Sequence, residues 1–156
     1  MSDKVRLLLW EECDRACEGC CNKDWDLGAL PVYDRNSHHD VVMLTGGEPM
    51  LHREKLIAIA KELKPRVNCL VLYTACTVGL EDIADLFDGL TVTLHEQKDA
   101  EQFKKFDRNL LFFDGSLRLN VFAGVEFEAS PRWVVKKDIE WIKECPLPSD
   151  EVFVRW

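Results

Sequence analysis

Three cysteines in the first part of the chain have the residue type and spacing to do chemistry. Cys13, Cys17 and Cys20 follow a C-x3-C-x2-C pattern within the segment CDRACEGCCNKDW. Thiolates are soft ligands that favour iron–sulfur clusters, zinc or copper(I). A ferredoxin run supplies four cysteines in series, whereas no fourth cysteine follows here at that spacing. Three thiolates would hold three corners of a four-iron cluster and leave one iron open to another ligand.

A second motif follows the next apolar segment. Residues 5–10 (VRLLLW) precede the cysteines, and residues 41–44 (VVML) precede the turn Thr45-Gly46-Gly47-Glu48-Pro49. Continuous apolar runs of this kind indicate buried parallel strands, and glycines let a ligand approach the backbone closely. Both motifs therefore follow predicted strands, with only 25 residues between Cys20 and Gly46.

Together the two motifs resemble the radical S-adenosylmethionine (radical SAM) superfamily. The resemblance implies a [4Fe-4S] cluster on the three cysteines, whose open iron chelates SAM and whose reduced form cleaves SAM to a 5′-deoxyadenosyl radical. It also places the Gly46-Gly47-Glu48 segment against the methionyl end of SAM. The family contacts adenine near the third cysteine, where Cys21 and Asn22 stand, and we expect their backbone to serve there, with Cys21 not a cluster ligand.

Polar residues at the ends of three further predicted strands are candidates for SAM or substrate contacts. Ligands of parallel α/β folds gather at the carboxyl ends of the strands. Thr74, His95 and Asn120 are the polar residues at the ends of the third, fourth and fifth predicted strands. The alternative for each is a polar residue satisfied by its neighbours. The remaining cysteines are predicted to be small buried residues rather than ligands: Cys69, Cys76 and Cys145.

Strands and helices alternate along the chain. Apolar runs predict six strands, at residues 5–10, 41–44, 68–73, 90–94, 117–122 and 152–155. A helical period predicts helices at residues 51–64, 80–88 and 98–107, and Ser130 with Pro131 signals the start of a fourth, which Pro146 and Pro148 would end. As a local alternative, Asp114-Gly115 could turn a hairpin between residues 110–113 and the fifth strand.

This alternation favours an α/β fold whose sheet is parallel with right-handed crossovers. Six units are too few to close an eight-stranded barrel. We therefore expect an open partial (βα)6 barrel, a form that radical SAM proteins also have, as one domain over residues 1–156.

Composition narrows the setting and the partners. The chain has 156 residues, a formal net charge of −8 and a pI of about 5.0, which disfavours a nonspecific nucleic-acid binder. The first ten residues hold only a short apolar run, so we expect neither a signal peptide nor a membrane span. Seven cysteines are expected to stay reduced in the cytoplasm.

The cysteine loop is most similar to that of glycyl-radical-enzyme activases, above all the type that activates anaerobic ribonucleotide reductase. The resemblance implies hydrogen abstraction from a large protein partner, and an open barrel without a second domain leaves room for one. Iron–sulfur potentials span about −700 to +450 mV. Because reductive cleavage of a sulfonium needs the low end, an external electron donor of the flavodoxin or ferredoxin type is implied.

Two other interpretations stay open. A stand-alone radical SAM enzyme could act on a nucleoside, a small molecule or a peptide, with residues 11–40 as its lid. A non-catalytic iron–sulfur or zinc module is the second. A structural zinc ion needs four closed ligands, and Cys21 or His38 could supply the fourth. Zinc would account for the cysteines and leave the Gly-Gly-Glu turn unexplained.

Overall fold

The computed structural model describes residues 4–11, 27–140 and 151–156. Within these ranges every strand belongs to one parallel sheet, in the order β6-β5-β4-β3-β2-β1-β7. The strands are β1 (Lys4–Leu8), β2 (His39–Thr45), β3 (Val67–Thr74), β4 (Gly89–Leu94), β5 (Ser116–Phe122), β6 (Val134–Ile139) and β7 (Glu151–Arg155). The two edge strands do not pair, so this sheet is open. The predicted α/β class with an open parallel sheet is confirmed, with seven strands instead of six.

Two helices cover one face of the sheet. They are α1 (Arg53–Leu63) and α2 (Gln97–Asn109). Their inward residues pack with alternate residues of the strands in one core of buried side chains, which includes Leu56, Leu63, Phe103, Phe106, Leu44, Leu72, Leu90 and Leu119. Burying each large apolar side chain stabilises the fold by about 1.5–3 kcal/mol. No helix in the described ranges is long and apolar enough to cross a membrane.

The opposite face of the sheet is more polar. The register places Tyr73, Thr91 and Arg118 side by side on β3, β4 and β5. Two residues further along β4 and β5, on the same face, Thr93 lies beside Asn120. Side chains on this face alternate with the core residues, because successive residues of a strand point to opposite faces. The polar face is therefore the one on which a bound molecule would meet the strands.

The helix predicted at residues 80–88 is wrong. Two short 3-10 turns, Leu80–Asp82 and Ala84–Leu86, stand there instead. Between them Ile83 has φ −121° and ψ 2°, which departs from helical values. The periodic apolar residues are nevertheless buried, as the pattern indicates: Leu80, Ile83, Ala84 and Phe87.

Hydrogen bonds at both ends of this segment explain why it forms two short turns instead of a helix. At its start, the carbonyl of Gly79 accepts a hydrogen bond of 2.8 Å from the Arg53 guanidinium. At its end, Asp88 exchanges two hydrogen bonds with the backbone of Leu70, both 2.8 Å long. Because contacts with α1 and β3 hold both ends, tertiary structure overrides the local helical preference.

The region after Ser130 also differs from prediction. Residues 134–139 form β6 beside β5, not a helix, because the β-branched pair Val134-Val135 favours a strand. The Ser-Pro signal marks a turn at residues 131–132. The hairpin alternative at residues 110–115 is wrong as well, since β5 pairs with β4 and β6, both parallel. The predicted end of the helix, near Pro146 and Pro148, lies outside the described residues.

A half-buried carboxylate links α2 to the connection before β6. Asp107 accepts hydrogen bonds from Ser130 N (2.7 Å), Ser130 Oγ (2.9 Å), Trp133 Nε1 (2.9 Å) and the Arg132 guanidinium (2.8 Å). Burial raises the pKa of Asp107, but the hydrogen bonds from Arg132, Trp133 and Ser130 outweigh it, so the pKa lies below its ordinary value. The ionised form of Asp107 therefore stabilises the fold.

Replacing Asp107 by alanine is expected to lower the free energy of unfolding by about 2–3 kcal/mol near neutral pH, because partly buried donors lose their acceptor. Since the folded-state pKa is lowered, this stabilisation is present above the unfolded pKa and is lost as the pH falls below about 4. Urea unfolding at about pH 7 and about pH 3 should show the variant and the natural protein converging in acid. Asp114→Ala, at an exposed position, is the control. An equal difference in unfolding free energy between the variant and the natural protein at both pH values would contradict the stabilising role of ionised Asp107.

Candidate functional site

Glu48 ties together the carboxyl ends of two neighbouring strands. Its side chain is buried, with 3% of the residue exposed. The carboxylate accepts hydrogen bonds from Thr74 Oγ1 (2.8 and 3.0 Å), from Ala75 N (2.8 Å) and from Met50 N (2.7 Å). Thr74 ends β3, while Glu48 follows β2. The Glu48 side chain therefore fixes the shape of the Gly-Gly-Glu turn, and the predicted site residue Thr74 acts through it.

The end of β1 is bound to the same turn. Trp10 O accepts a hydrogen bond from Gly47 N (2.9 Å), and Trp10 Nε1 donates to Glu48 O (3.1 Å). Leu9 N donates to Thr45 O (3.0 Å). The chain is thus held against the turn three residues before the first cysteine of the motif. The sequence reasoning missed Trp10, although a tryptophan between a strand and a cysteine motif was a visible signal.

The cysteine segment itself lies outside the residues that the structure describes. This holds for Cys13, Cys17, Cys20, Cys21 and Asn22. Their predicted roles stay predictions. The described part of the chain ends at residue 11 on this side, and Trp10 is fixed beside the Gly-Gly-Glu turn by its hydrogen bonds.

Gly46 is required by the close approach of β1. A Cβ atom added at Gly46 would lie 2.7 Å from Trp10 O, and the residue has φ +152°. Real Cβ atoms do not approach a backbone oxygen so closely, and L side chains rarely adopt this φ. The glycine therefore allows the end of β1 and the Gly-Gly-Glu turn to touch.

The variant Gly46→Ala is expected to lower the free energy of unfolding by about 2–4 kcal/mol, because both strands must shift to admit the methyl group. Gly124→Ala is the matched control, since Gly124 also has a positive φ (+85°) but has no atom within 4 Å of its added Cβ. The control is expected to cost about 1 kcal/mol. Urea unfolding measures the stability of both variants. Equal losses of unfolding free energy would show that the close contact of Gly46 with Trp10 does not require glycine.

The turn presents a backbone acceptor at this edge of the sheet. In the described ranges, the Gly47 carbonyl accepts no hydrogen bond, and the residue is half-buried. A half-buried carbonyl without a protein donor is open to a hydrogen bond from a ligand ammonium group.

His95 and Asn120 lie further along the sheet, the first just after β4 and the second on β5. His95 follows β4; its backbone N donates to Asp99 Oδ2 (3.0 Å), and its ring lies 4.6 Å from that of Phe122. Asn120 is half-buried on the polar face, beside Thr93. The structure therefore brings Glu48 and Thr74 together at the β2–β3 ends. It places His95 at the end of β4, the neighbour of β3, and Asn120 on β5, two strands from β3.

Two of the cysteines outside the motif are described. Cys69 and Cys76 are both half-buried. Burial raises the pKa of the Cys69 thiol, and the Asp88 carboxylate adds to the effect. Because thiolate is the form that binds metal, the raised pKa disfavours Cys69 as a ligand. Cys69 and Cys76 were predicted to be buried, whereas both are only half-buried. Cys76 N donates to Thr74 Oγ1 (2.9 Å), so its backbone belongs to the Glu48 network. Cys145 lies outside the described residues.

The described residues offer no alternative metal site. Over residues 4–11, 27–140 and 151–156, no three His, Cys, Asp or Glu side chains are grouped as a metal site would need. His38, the alternative zinc ligand, is exposed. No protein-family model matches the chain, and no curated protein matches it.

Proposed function

We propose that the chain is a radical SAM enzyme with an open partial barrel, which activates a protein partner by hydrogen abstraction. One observation carries the proposal: the bonds of Trp10 and Glu48 join the ends of β1, β2 and β3 into one site, from which the cysteine motif departs. Ligands of parallel α/β folds bind at this end of the strands. A zinc module would not need a buried carboxylate to shape a glycine turn next to its cysteines.

Each part of the site has a role under this proposal. Cys13, Cys17 and Cys20 would hold a [4Fe-4S] cluster, and three thiolates suit a cluster with one open corner. The Gly47 carbonyl would accept from the amino group of SAM. Glu48, whose oxygens are bound by Thr74, Ala75 and Met50, positions that carbonyl rather than touching the cosubstrate.

When bound, a cluster on Cys13, Cys17 and Cys20 would supply one electron at low potential, which would cleave the bond between the sulfonium and the adenosyl 5′ carbon of SAM to methionine and a 5′-deoxyadenosyl radical. That radical would take a hydrogen atom from the partner, leaving 5′-deoxyadenosine and a radical on the partner. An external flavodoxin- or ferredoxin-type donor would return the electron. The chain's own residues bind and orient SAM, and His95 and Asn120 would face the substrate side.

Anaerobic SAM cleavage tests the proposal. Reduced, reconstituted protein is incubated with SAM, and 5′-deoxyadenosine is measured by chromatography. We expect slow cleavage alone and faster cleavage with a candidate glycyl radical enzyme, together with a glycyl radical signal on that partner. Stimulation by a small metabolite without any protein would favour the stand-alone enzyme. No 5′-deoxyadenosine under any of these conditions would overturn the proposal.

A further inference from the structure

The two edges of the sheet differ. At β7, residues 31–33 run along the edge: Tyr33 N donates to Arg155 O (2.7 Å), and Arg155 N donates to Pro31 O (2.9 Å). At β6, the described part of the chain pairs with β5 alone. Five of the six residues of β6 are exposed. The β6 edge therefore offers backbone donors and acceptors to another strand, while the β7 edge is covered at its carboxyl end.

The open edge holds a small excess of basic residues in an acidic protein. Strands β5 and β6 carry Arg118, Lys136 and Lys137 against Asp138, and the exposed Glu140 follows β6. The whole chain, in contrast, has a net charge of −8. The register sets Lys136 beside Asn120 and Val134 beside Arg118 on the polar face. Within the described ranges, none of the three basic side chains forms a salt bridge or a hydrogen bond.

We infer that the β6 edge binds an extended, acidic segment of a partner protein, which adds to the sheet as a further strand. Addition of a strand draws its affinity from backbone hydrogen bonds and its specificity from alternate side chains. An extended acidic segment would use everything that this edge presents: the backbone groups, the apolar surfaces of Val134 (70% exposed) and Val135 (37% exposed), and the lysines. A small anion would use the charges alone.

A second copy of this chain fits the edge poorly. Antiparallel pairing of β6 with itself over residues 134–137 would bring two lysines from each copy into one short ribbon, and like charges close together destabilise a strand pair. Asp138, with φ +56°, interrupts the strand, so pairing is expected over residues 134–137. The acidic remainder of the chain would repel an acidic partner and so direct it to this edge.

This inference rests on the proposed function only in identifying the partner as a substrate protein. Binding at the β6 edge itself needs neither a reduced cluster nor SAM. The probe is a fluorescent peptide of alternating glutamate and threonine, about eight residues long, with a lysine–threonine peptide and pyrophosphate for comparison. Anisotropy gives the affinity for the full chain, and backbone amide shifts locate the peptide. We expect the acidic peptide to bind, to weaken with salt and to shift the amides of residues 134–137.

Charge reversal supplies the decisive comparison. Lys136→Glu with Lys137→Glu is expected to weaken binding about tenfold or more, whereas Lys55→Glu with Lys61→Glu, at exposed positions of α1, should change it less than about twofold. The inference is overturned if the acidic peptide does not bind, if both pairs act alike, or if pyrophosphate binds equally and the amides of residues 134–137 do not shift. SAM cleavage measured on the same preparations tests the proposed function separately.

Discussion

The variant Glu48→Ala is expected to lose about 3–5 kcal/mol of unfolding free energy and with it nearly all SAM binding. The alanine leaves three donors, from Thr74, Ala75 and Met50, without the carboxylate that now accepts from them, and each unsatisfied buried donor costs about 1–3 kcal/mol. Such a loss is a large part of the 5–15 kcal/mol typical of a domain. Urea unfolding measures the first effect and calorimetric titration with SAM the second.

Two variants separate positioning from mere stability at Glu48. Glu48→Gln keeps the size of the side chain and one acceptor oxygen, so it is expected to fold with a loss of about 1–3 kcal/mol and to bind SAM more weakly. Glu54→Ala, on the exposed side of α1, should change unfolding by less than about 0.5 kcal/mol. A folded Glu48→Gln protein that binds SAM as tightly as the natural chain would show that the carboxylate does not position the turn.

Serine at any one of Cys13, Cys17 or Cys20 is expected to abolish the cluster. Removing one of three thiolates leaves too few soft ligands to hold four irons. Iron and inorganic sulfide should fall to near background, and SAM cleavage should drop by roughly a hundredfold or more, since even outer-shell changes at metal sites cost 10–100-fold. Metal and sulfide analysis of anaerobically prepared protein gives the result.

The matched control is Cys69→Ser. Cys69 lies on β3 with a pKa raised by burial and by Asp88, so the account gives it no place on a metal. Its replacement should leave iron, sulfide and SAM cleavage unchanged. The assignment of Cys13, Cys17 and Cys20 as the cluster ligands would be contradicted if Cys69→Ser lost the cluster, or if one of the three motif variants kept it.

The positions of six of the seven strands along the chain were predictable, because their apolar runs are long enough to outweigh local signals. Runs such as residues 41–44 and 90–94 lie within observed strands, and α2 extends only slightly beyond residues 98–107. The failures came where a local signal competed with distant contacts. Ser130 looks like a helix cap, but its backbone and hydroxyl bind Asp107 of α2 instead.

The sequence indicated the Gly-Gly-Glu part of the candidate site but not the contacts that hold it in place. The Gly-Gly-Glu motif could be recognised in sequence, whereas the bonds of Glu48 with Thr74 and Ala75 join residues 26 and 27 positions apart. The need for glycine at position 46 arises from Trp10, which belongs to another strand end. Both relationships depend on which strands become neighbours, and periodicity within a segment carries no such information.

The central claim is that three thiolates leave one iron open for SAM beside the Gly-Gly-Glu turn. It is tested most directly by electron paramagnetic resonance of reduced, anaerobically reconstituted protein, recorded with and without SAM. The account predicts a [4Fe-4S] signal that SAM shifts, and a loss of that shift in a folded Glu48→Gln protein. A preparation with stoichiometric zinc and no inorganic sulfide, or a cluster signal that SAM leaves unchanged, would contradict it.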